Sequence, residues 1–301
     1  MNSIVLVVIS SMNYFPTATL SETTKKAYNT YIGRWLSFGI PNLDSLIKDS
    51  GTAIALLKKA DMKQTNYVYH NYYSAIVAFL DHEAPPKLKG LKEHWKALQK
   101  ENQKPIAEHY LEQEPTELQK GTELVWKEAL ATRDALPIGI ERLLIGFYTH
   151  IPPVRADYNA TQLLKPGDTI PSDENYILLG TDYKLVIQSF KTGKTYGSIE
   201  HVLPEPLKNE LEASLKADPR KWLFIKRRTN SKAPEECMSP SEYSSWANRI
   251  LTRVFGKRTN ITAFRHAYAS SIDFNKPYRE LKEEASKMGH SVEMSMKYAW
   301  R

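Results

Sequence analysis

Residues 175–204 read NYILLGTDYKLVIQSFKTGKTYGSIEHVLP, and this stretch decides the fold class. It holds three short runs rich in β-branched and aromatic residues: NYILLG, KLVIQSFKT and GSIEHVLP. Turn residues at Thr181-Asp182 and across Gly193 to Gly197 separate these runs. Short strands joined by short turns are typical of an antiparallel meander. We therefore expect a small three-stranded antiparallel sheet here.

Helical periodicity covers most of the remaining chain. Ser21 can cap a helix that stops near Gly39. The apolar stripe of this helix runs through Tyr28, Ile32 and Trp35. The fold class is therefore mainly α with a small antiparallel sheet. Further helices are expected over residues 52–59, 65–81, 91–103, 117–135, 138–149, 206–215, 241–254, 262–274 and 276–288.

The expected helix over residues 65–81, TNYVYHNYYSAIVAFLD, carries more aromatic residues than one apolar stripe needs. Tyr69, Tyr73 and Leu80 fall on one side of it, whereas Tyr72 falls on another. We expect most of these tyrosines to pack in a core. The alternative is that some of their hydroxyls contact phosphates.

The chain divides near its first third. Residues 104–115, KPIAEHYLEQEP, are bracketed by prolines, acidic and without clear periodicity, which is typical of a linker. Upstream, the apolar run Ile4–Ile9 is too short for a secretory signal and has no basic residue before it. The expected parts are a frayed N-terminal extension (1–16), a helical domain (17–104), a linker (105–115) and a second domain (116–301).

The charge of the chain favours a polyanionic partner. Its 301 residues include 41 Lys and Arg against 34 Asp and Glu, a formal net charge of +7. The run RKWLFIKRRTNSK, residues 220–232, has no acidic residue and predicts a surface that contacts the DNA backbone; the alternative is a solvated loop. The candidate DNA-binding residues of this run are Arg220, Lys221, Lys226, Arg227, Arg228 and Lys232.

Several classes of function have no signature in the sequence. No apolar run approaches the length of a membrane span, so we expect no membrane partner. Cys237 is the one cysteine, which excludes an internal disulfide and favours a reducing compartment. The patterns GxGxxG, Walker A, HExxH and GxSxG do not occur, so neither nucleotide, metal nor acyl-transfer chemistry is indicated.

Five elements in the C-terminal half carry groups suited to phosphate chemistry. Guanidiniums are permanently charged and bind phosphate oxygens in bidentate fashion, which suits the extra negative charge of an in-line transition state. A phenol, with a pKa near about 10, is a weak nucleophile until cations or a base activate it. The elements are PPVRADY at 152–158, SFKTGK at 189–194, TAFRHAYAS at 262–270, MGHS at 288–291 and Tyr298.

In this order the five elements resemble the active-site set of the tyrosine recombinases, the integrase family that cuts and rejoins DNA through a phosphotyrosine. PPVRADY resembles the first-arginine box in the PPxRxDY form seen in recombinases of virophages, large DNA viruses and eukaryotic mobile elements. TAFRHAYAS resembles the box usually written HxxRH, and MGHS carries the late histidine of the family. The resemblance covers most of the chain. It implies that the catalytic residues are Arg155, Lys191, Arg265, His290 and the nucleophile Tyr298, with Lys194 as a substitute for Lys191.

The resemblance also implies a fold and a reaction. The helical N-terminal unit resembles the core-binding domain that clamps a duplex opposite an α+β catalytic domain. The implied reaction is site-specific recombination through a 3′-phosphotyrosine, without metal, ATP or another cofactor. The arginines and His290 would stabilise charge on the phosphate, and Lys191 would protonate the leaving 5′ oxygen. The implied partners are double-stranded DNA and further copies of this chain, forming a homotetramer on the DNA.

Two features depart from the family pattern. Thr262 stands where the family usually has His or Lys, three residues before the second arginine. A hydroxyl can hydrogen-bond to a phosphate oxygen but accepts a proton poorly, so the general base stays open. Only three residues follow Tyr298, so we expect no C-terminal helix exchanged between subunits. His266 we assign to the support of the fold.

Two other functions fit the same residues. A type IB topoisomerase shares this chemistry but acts as a monomer that relaxes supercoils, and a DNA-binding protein that has lost catalysis would only occupy its site. Taken singly, each residue also has an ordinary structural explanation. Arg155 could cap a helix end, Lys191 and Lys194 could be solvated in a hairpin, His290 could face a helix C-terminus, and Tyr298 could be a packing residue.

Overall fold

The computed structural model describes residues 12–60, 66–116, 119–226 and 236–300. Within these ranges the chain is mainly helical and carries a four-stranded sheet. The chain forms two units, Met1–Glu112 and Gln113–Arg301. Most of the expected N-terminal extension, residues 1–11, lies outside the described residues.

Helices build the first unit. The Ser21 side chain accepts a hydrogen bond from the backbone N–H of Thr24 and so caps the first helix, as its sequence predicts. Asn42 caps the second helix through the backbone N–H of Ser45. We did not predict this helix or the fifth, because neither is long enough to show a stripe. The helices are α1 (Glu22–Leu36), α2 (Leu43–Lys48), α3 (Ser50–Ala60), α4 (Asn66–His82), α5 (Pro86–Lys89) and α6 (Lys92–Glu112).

Aromatic side chains of α1, α4 and α6 form the core of the first unit. Trp35 and Trp95 are fully buried, with ring centres 5.6 Å apart. Each indole N–H donates to a backbone carbonyl at 3.0 Å, which satisfies the polar edge of a buried ring. Tyr72 and Tyr73 are buried against Trp35. Tyr72 is buried although we placed it off the apolar stripe, because α4 packs against both α1 and α6.

Helix α6 continues through Pro105 to Glu112, across most of the segment we expected to be a linker. A proline inside a helix removes one backbone hydrogen bond and costs about 3 kcal/mol. Contacts nearer the start of α6 hold it, since Trp95 is buried and the Gln99 amide donates to the Ser74 hydroxyl of α4 at 2.8 Å. Pro105 therefore lies inside a helix, Pro115 lies beyond the end of that helix, and the two units divide after Glu112.

The helices of the second unit largely follow their sequence signals. Ser239 and Glu242 form a reciprocal capping box at the start of one helix, and Gly256 ends it with φ at 65°. The first helix begins at Trp126 rather than at residue 117, and we did not predict the last one. The helices in the described residues are α7 (Trp126–Ala135), α8 (Ile140–Phe147), α9 (Gly193–Tyr196), α10 (Glu205–Ala217), α11 (Pro240–Phe255), α12 (Ile261–Ser271), α13 (Tyr278–Lys287) and α14 (Val292–Tyr298).

The sheet of the second unit is mixed and has four strands in chain order: β1 (Gln162–Leu164), β2 (Tyr176–Leu179), β3 (Tyr183–Ile187) and β4 (Ile199–Val202). The pairs β2–β3 and β3–β4 are antiparallel, but β1 pairs with β2 in parallel, so the expected purely antiparallel sheet is wrong in this respect. A strand of three residues shows no alternation that a sequence could reveal. Long-range hydrogen bonds of 2.8 Å, from Leu163 N to Lys221 O and from Leu223 N to Thr161 O, hold its other edge.

The aromatic core of the second unit fixes the PPVRADY segment. Phe147, Tyr148 and Tyr158 are fully buried and pack edge to face. The Tyr158 hydroxyl donates to the Phe147 carbonyl at 3.1 Å, and the Tyr148 hydroxyl donates to the Arg155 carbonyl at 2.9 Å. Burial raises the pKa of both phenols well above the usual value, so both remain neutral donors. The backbone at Arg155 is thus anchored from the core.

Candidate active site

A cleft of about 330 Å³ opens in the second unit. Four residues that the sequence analysis singled out line it together: Arg155, Thr262, Arg265 and Tyr298. They come from the loop after α8, from α12 and from the end of α14, which are far apart in the sequence. The other lining residues are Ala156, Ser244, Asn248, Asn260 and Ile261.

Arg155 is half-buried and its backbone is held at both ends. Its N–H donates to Oδ2 of Asp157 at 3.0 Å, and its carbonyl accepts from Tyr148. Burial raises the pKa of the Asp157 carboxyl, while the hydrogen bond from Arg155 and the charges of Arg155 and Arg265 oppose that rise. Asp157 is therefore a half-buried acid that both cleft arginines favour in its ionised form.

Arg265 is 1% exposed and lies in α12. Its Nη2 contacts Nε2 of His290, but no group in the described residues accepts a hydrogen bond from its Nε or Nη1. Burial lowers the pKa of Arg265 to about 10; the Tyr298 phenol opposes this effect and the charge of Arg155 adds to it. The guanidinium stays charged near neutral pH, and a buried charge with unused donors is costly. Because Arg265 lines the cleft, its charge is suited to an anionic ligand there, although its Nε and Nη1 are themselves buried.

His290 is 3% exposed and follows Gly289 in the loop between α13 and α14. Burial lowers its pKa to about 3, and the charges of Arg265 and Arg155 add to the effect. A neutral imidazole can accept the Arg265 Nη2 hydrogen on its Nε2, which leaves the proton on Nδ1. In this arrangement Nε2 of His290 contacts Arg265, and donation by His290 to a phosphate stays a prediction.

Tyr298 ends α14, a helix that the Ser291 side chain caps through the N–H of Met294. Its side chain is half-buried and lines the cleft. The centre of its ring lies 4.9 Å from that of His290 and 5.2 Å from Cζ of Arg265. The phenol is thus held beside the unpaired guanidinium donors and is not sealed in the interior.

Neither Lys191 nor Lys194 lines the cleft. Both are exposed, Lys191 in the turn after β3 and Lys194 in α9, where we expected a simple hairpin. The Thr192 hydroxyl between them donates to the Gly289 carbonyl at 3.0 Å. Gly289 has φ at +66°, and a Cβ on it would lie 2.9 Å from the ring of Phe190. The lysine turn is therefore packed against the loop that carries His290.

Three polar cleft residues were not singled out from the sequence. Oδ1 of Asn248 accepts from Ile261 N at 3.1 Å, and Oδ1 of Asn260 accepts from Ala263 N at 2.9 Å. Both amides therefore cap the first turn of α12, where Thr262 is exposed to the cleft. Asn260 is the N-cap of α12, and because Asn is a preferred N-cap residue the sequence could have predicted this role. Ser244 and Asn248 share one face of α11, but only the packing of α11 on α12 brings them to the cleft.

The basic residues of the run 220–232 differ in their exposure to solvent. The side chain of Arg220 is 1% exposed and donates to the carbonyls of Leu223, Ser214 and Asp218. It supports the end of α10 and is not at the surface, which corrects our expectation for this residue. Lys221 and Lys226 are exposed, and Lys226 pairs with Glu242. Arg227, Arg228 and Lys232 lie outside the described residues.

Neither a metal-binding cluster nor a membrane-spanning helix occurs in the described residues. No group of three or more His, Cys, Asp or Glu side chains in them is placed to hold a metal ion. None of the helices found there is long and apolar enough to cross a membrane.

Comparison with known proteins gives little. No family model matches the chain, and no curated protein matches it. Among solved structures, the crystal structure of XerA recombinase is similar at 17% sequence identity and a TM-score of 0.42, over 94% of this chain and 88% of that chain. A similarity at this level does not assign a family.

Proposed function

We propose that this protein is a site-specific DNA recombinase that cuts and rejoins strands through a 3′-phosphotyrosine on Tyr298. The observation that carries the proposal is the cleft in which the Tyr298 phenol lies beside the buried Arg265 guanidinium and which Arg155 also lines. Arg155 and Arg265 both line the cleft, and guanidiniums suit the nonbridging oxygens of a phosphodiester; Nε and Nη1 of Arg265 are buried and have no hydrogen-bond partner in the described residues. The order of the motifs along the chain supports the same assignment.

The first step is an in-line displacement at phosphorus. The Tyr298 oxygen forms a bond to phosphorus, the bond from phosphorus to the 5′ oxygen breaks, and the phenol proton passes to water. Arg155 and Arg265 meet the negative charge that develops on the nonbridging oxygens; fixed donors of this kind typically contribute about 2.7 to 4 kcal/mol each. Neither candidate lysine lines the cleft, so Lys191, or Lys194 as the alternative donor, would have to move with the connection between β3 and β4 to supply a proton to the 5′ oxygen.

The second step reverses the first with a different strand. A free 5′ hydroxyl attacks the phosphotyrosine, the new phosphodiester forms, and the phenol of Tyr298 is released. Because the phosphotyrosine keeps the energy of the broken linkage, rejoining requires no further source of energy. Exchange of strands between two duplexes, by a homotetramer of this chain, would make the reaction a recombination.

Contacts with the duplex outside the cleft belong to the same proposal. Lys221 and Lys226 are exposed in the basic run and supply a sequence-independent attraction for phosphates. Affinity for DNA is expected to fall steeply as the salt concentration rises, and the double substitution of these lysines by Ala should reduce the steepness of that fall.

The test is covalent trapping on a nicked duplex built from the sequences that flank the gene. Cleavage next to the nick releases a short strand that diffuses away, so the protein remains attached to DNA under denaturing conditions. Tyr298→Phe should give no adduct and bind DNA as the wild type does. The matched control is Tyr278→Phe, an exposed phenol on α13, which should form the adduct normally. An adduct formed by Tyr298→Phe would disprove the nucleophile.

A second candidate is strand nicking and resealing of the type IB topoisomerase kind. The position of Thr262 on the cleft, where the recombinases usually have an imidazole or amine, favours it. Relaxation of a supercoiled plasmid by dilute protein, without a target site, would support this function. A requirement for two partner sites would support recombination. A wild-type chain that forms no adduct on any of these substrates would be a binding protein without catalysis.

A further inference from the structure

We propose that His266 is a positioning residue that holds Tyr298 in the cleft by binding the backbone of the last turn of α14. The inference rests on the proposed function, since it concerns the phenol that attacks phosphorus. His266 itself does not line the cleft. It acts through Tyr298 and through Trp300, two residues further along the chain.

The imidazole of His266 contacts the C-terminal segment through a ring nitrogen and through the face of the ring. Its Nδ1–H donates to the Tyr298 carbonyl at 2.8 Å. Its ring stacks on the Trp300 indole, with centres 3.8 Å apart and planes at 15°, and lies 4.6 Å from the centre of the Tyr298 ring at 28°. A carbonyl at a helix end has no partner within its helix, so this donor satisfies a group that α14 leaves unpaired.

Other hydrogen bonds hold the same segment. The Trp300 N–H donates to the Ser270 hydroxyl at 2.8 Å, and the Gln113 amide donates to the Met296 carbonyl at 2.9 Å. Ser270 lies on α12, as His266 does. The end of α14 is therefore bound mainly to α12, and His266 supplies both a hydrogen bond and a stacking surface.

The protonation state of His266 fits this role. Burial lowers its pKa to about 4, so the ring is neutral near pH 7. The carbonyl of Tyr298 requires the proton on Nδ1, and Nε2 is then free to accept from the Gln119 amide, which lies 3.3 Å away. One tautomer satisfies both neighbours.

The neighbour of His266 on α12 is Arg265, which lines the cleft. One turn of α12 thus carries both Arg265, whose guanidinium suits the phosphate, and His266, which holds the end of α14 that bears Tyr298. This arrangement sets the separation between the phenol and the phosphate before the substrate arrives. A loss of such positioning costs roughly 10²-fold in rate for a displacement of about 1 Å.

Loss of the contacts that His266 makes with the end of α14 should slow cleavage more than rejoining. In the free protein, Tyr298 without its anchor would occupy many orientations, and only some of them permit attack. In the covalent adduct the phosphotyrosine bond already restrains the phenol, so rejoining needs no anchor. Cleavage should therefore slow while rejoining keeps its rate. A general loss of structure would slow both.

The experiment uses the full chain with His266→Phe, which keeps a ring for stacking and removes the donor, and Trp300→Ala, which does the reverse. His150→Ala is the matched control, because this half-buried histidine of the same unit lies near Glu210 and away from the cleft. Single-turnover cleavage of the nicked duplex, rejoining from a preformed adduct, and equilibrium DNA binding are measured for each. Hydrogen exchange of α14 is followed by mass spectrometry in the free proteins.

His266→Phe should cleave roughly 10²-fold more slowly, rejoin at the wild-type rate and bind DNA unchanged, with faster exchange in α14 and normal exchange in α12. Trp300→Ala should change the same quantities in the same direction by a smaller factor. Equal slowing of both directions, or normal exchange in α14, would overturn the proposal. If the wild type forms no adduct, the proposed function fails, and exchange alone then decides whether His266 anchors the segment.

Discussion

The guanidinium carbon of Arg265 lies 5.2 Å from the centre of the Tyr298 ring, and the same guanidinium contacts the imidazole of His290. A cation over the face of a phenol is attracted to the ring. The three side chains form one connected group. Substitutions among them should therefore be non-additive, since each side chain orients the others.

Arg265→Met should abolish the covalent adduct and raise the stability of the protein. The guanidinium is buried with two unpaired donors, and an apolar side chain of similar length avoids that cost, by about 1 to 2 kcal/mol. Urea unfolding of the two proteins measures the difference. Arg253→Met is the control, because that arginine is mostly exposed and should change stability little. A marked loss of stability in Arg265→Met would show that the buried charge is well compensated.

Lys191→Ala should slow cleavage of an ordinary duplex and leave cleavage nearly normal when the leaving 5′ oxygen is replaced by sulfur. A thiolate leaves without a proton, so it needs no general acid. Lys194→Ala is the matched control, because the two lysines are exposed on the same connection between β3 and β4. If Lys194→Ala alone shows rescue by sulfur, the general acid is Lys194.

Stability should fall as the pH falls from about 6.5 towards 4. Burial lowers the pKa of His266 to about 4 and that of His290 to about 3, whereas an unfolded histidine titrates near about 6.5. Below that value the unfolded chain binds protons that the folded chain does not, so stability present at neutral pH is lost. Each histidine contributes a slope of up to about 1.4 kcal/mol per pH unit. Urea unfolding of His290→Gln should show a shallower slope than the wild type over this range; an unchanged slope would contradict the prediction.

Gly289→Ala should destabilise the protein more than Gly256→Ala. Both glycines have φ near +65°, and a left-handed conformation costs an alanine about 1 to 2 kcal/mol. A Cβ at position 256 meets nothing within 4 Å, whereas a Cβ at position 289 meets Phe190. The difference between the two variants, measured by thermal unfolding, isolates this contact and should be about 1 kcal/mol or more. Phe190→Leu in the Gly289→Ala background should recover part of it.

Much of the helical structure could be predicted from local signals. The first helix has a cap at Ser21 and an apolar stripe, and α11 has a capping box and a terminal glycine, so periodicity and end signals agree. Strand β1 could not be predicted, because its three residues show no alternation and the groups on its other edge, Lys221 and Leu223, lie far along the chain. The expected linker was inferred from prolines, whose local cost the packing of α6 on α4 outweighs.

Part of the candidate site could likewise be predicted from the sequence and part could not. Motif order singled out Arg155, Arg265 and Tyr298, which the structure places on one cleft. The contact of His290 with Arg265 and the stacking of His266 on Trp300 could not be predicted, because no motif records which way a side chain turns in a packed interior.

Arg265 and His266 are adjacent on α12, and this adjacency has a mechanical consequence. When α12 shifts as a rigid body, the anion-binding group and the point that restrains the last turn of α14 shift by the same vector. Under the proposed function, such common displacements would cancel in the distance between the Tyr298 oxygen and a phosphate bound by Arg265. A shift of α12 would then leave the reach of Tyr298 towards that phosphate unchanged.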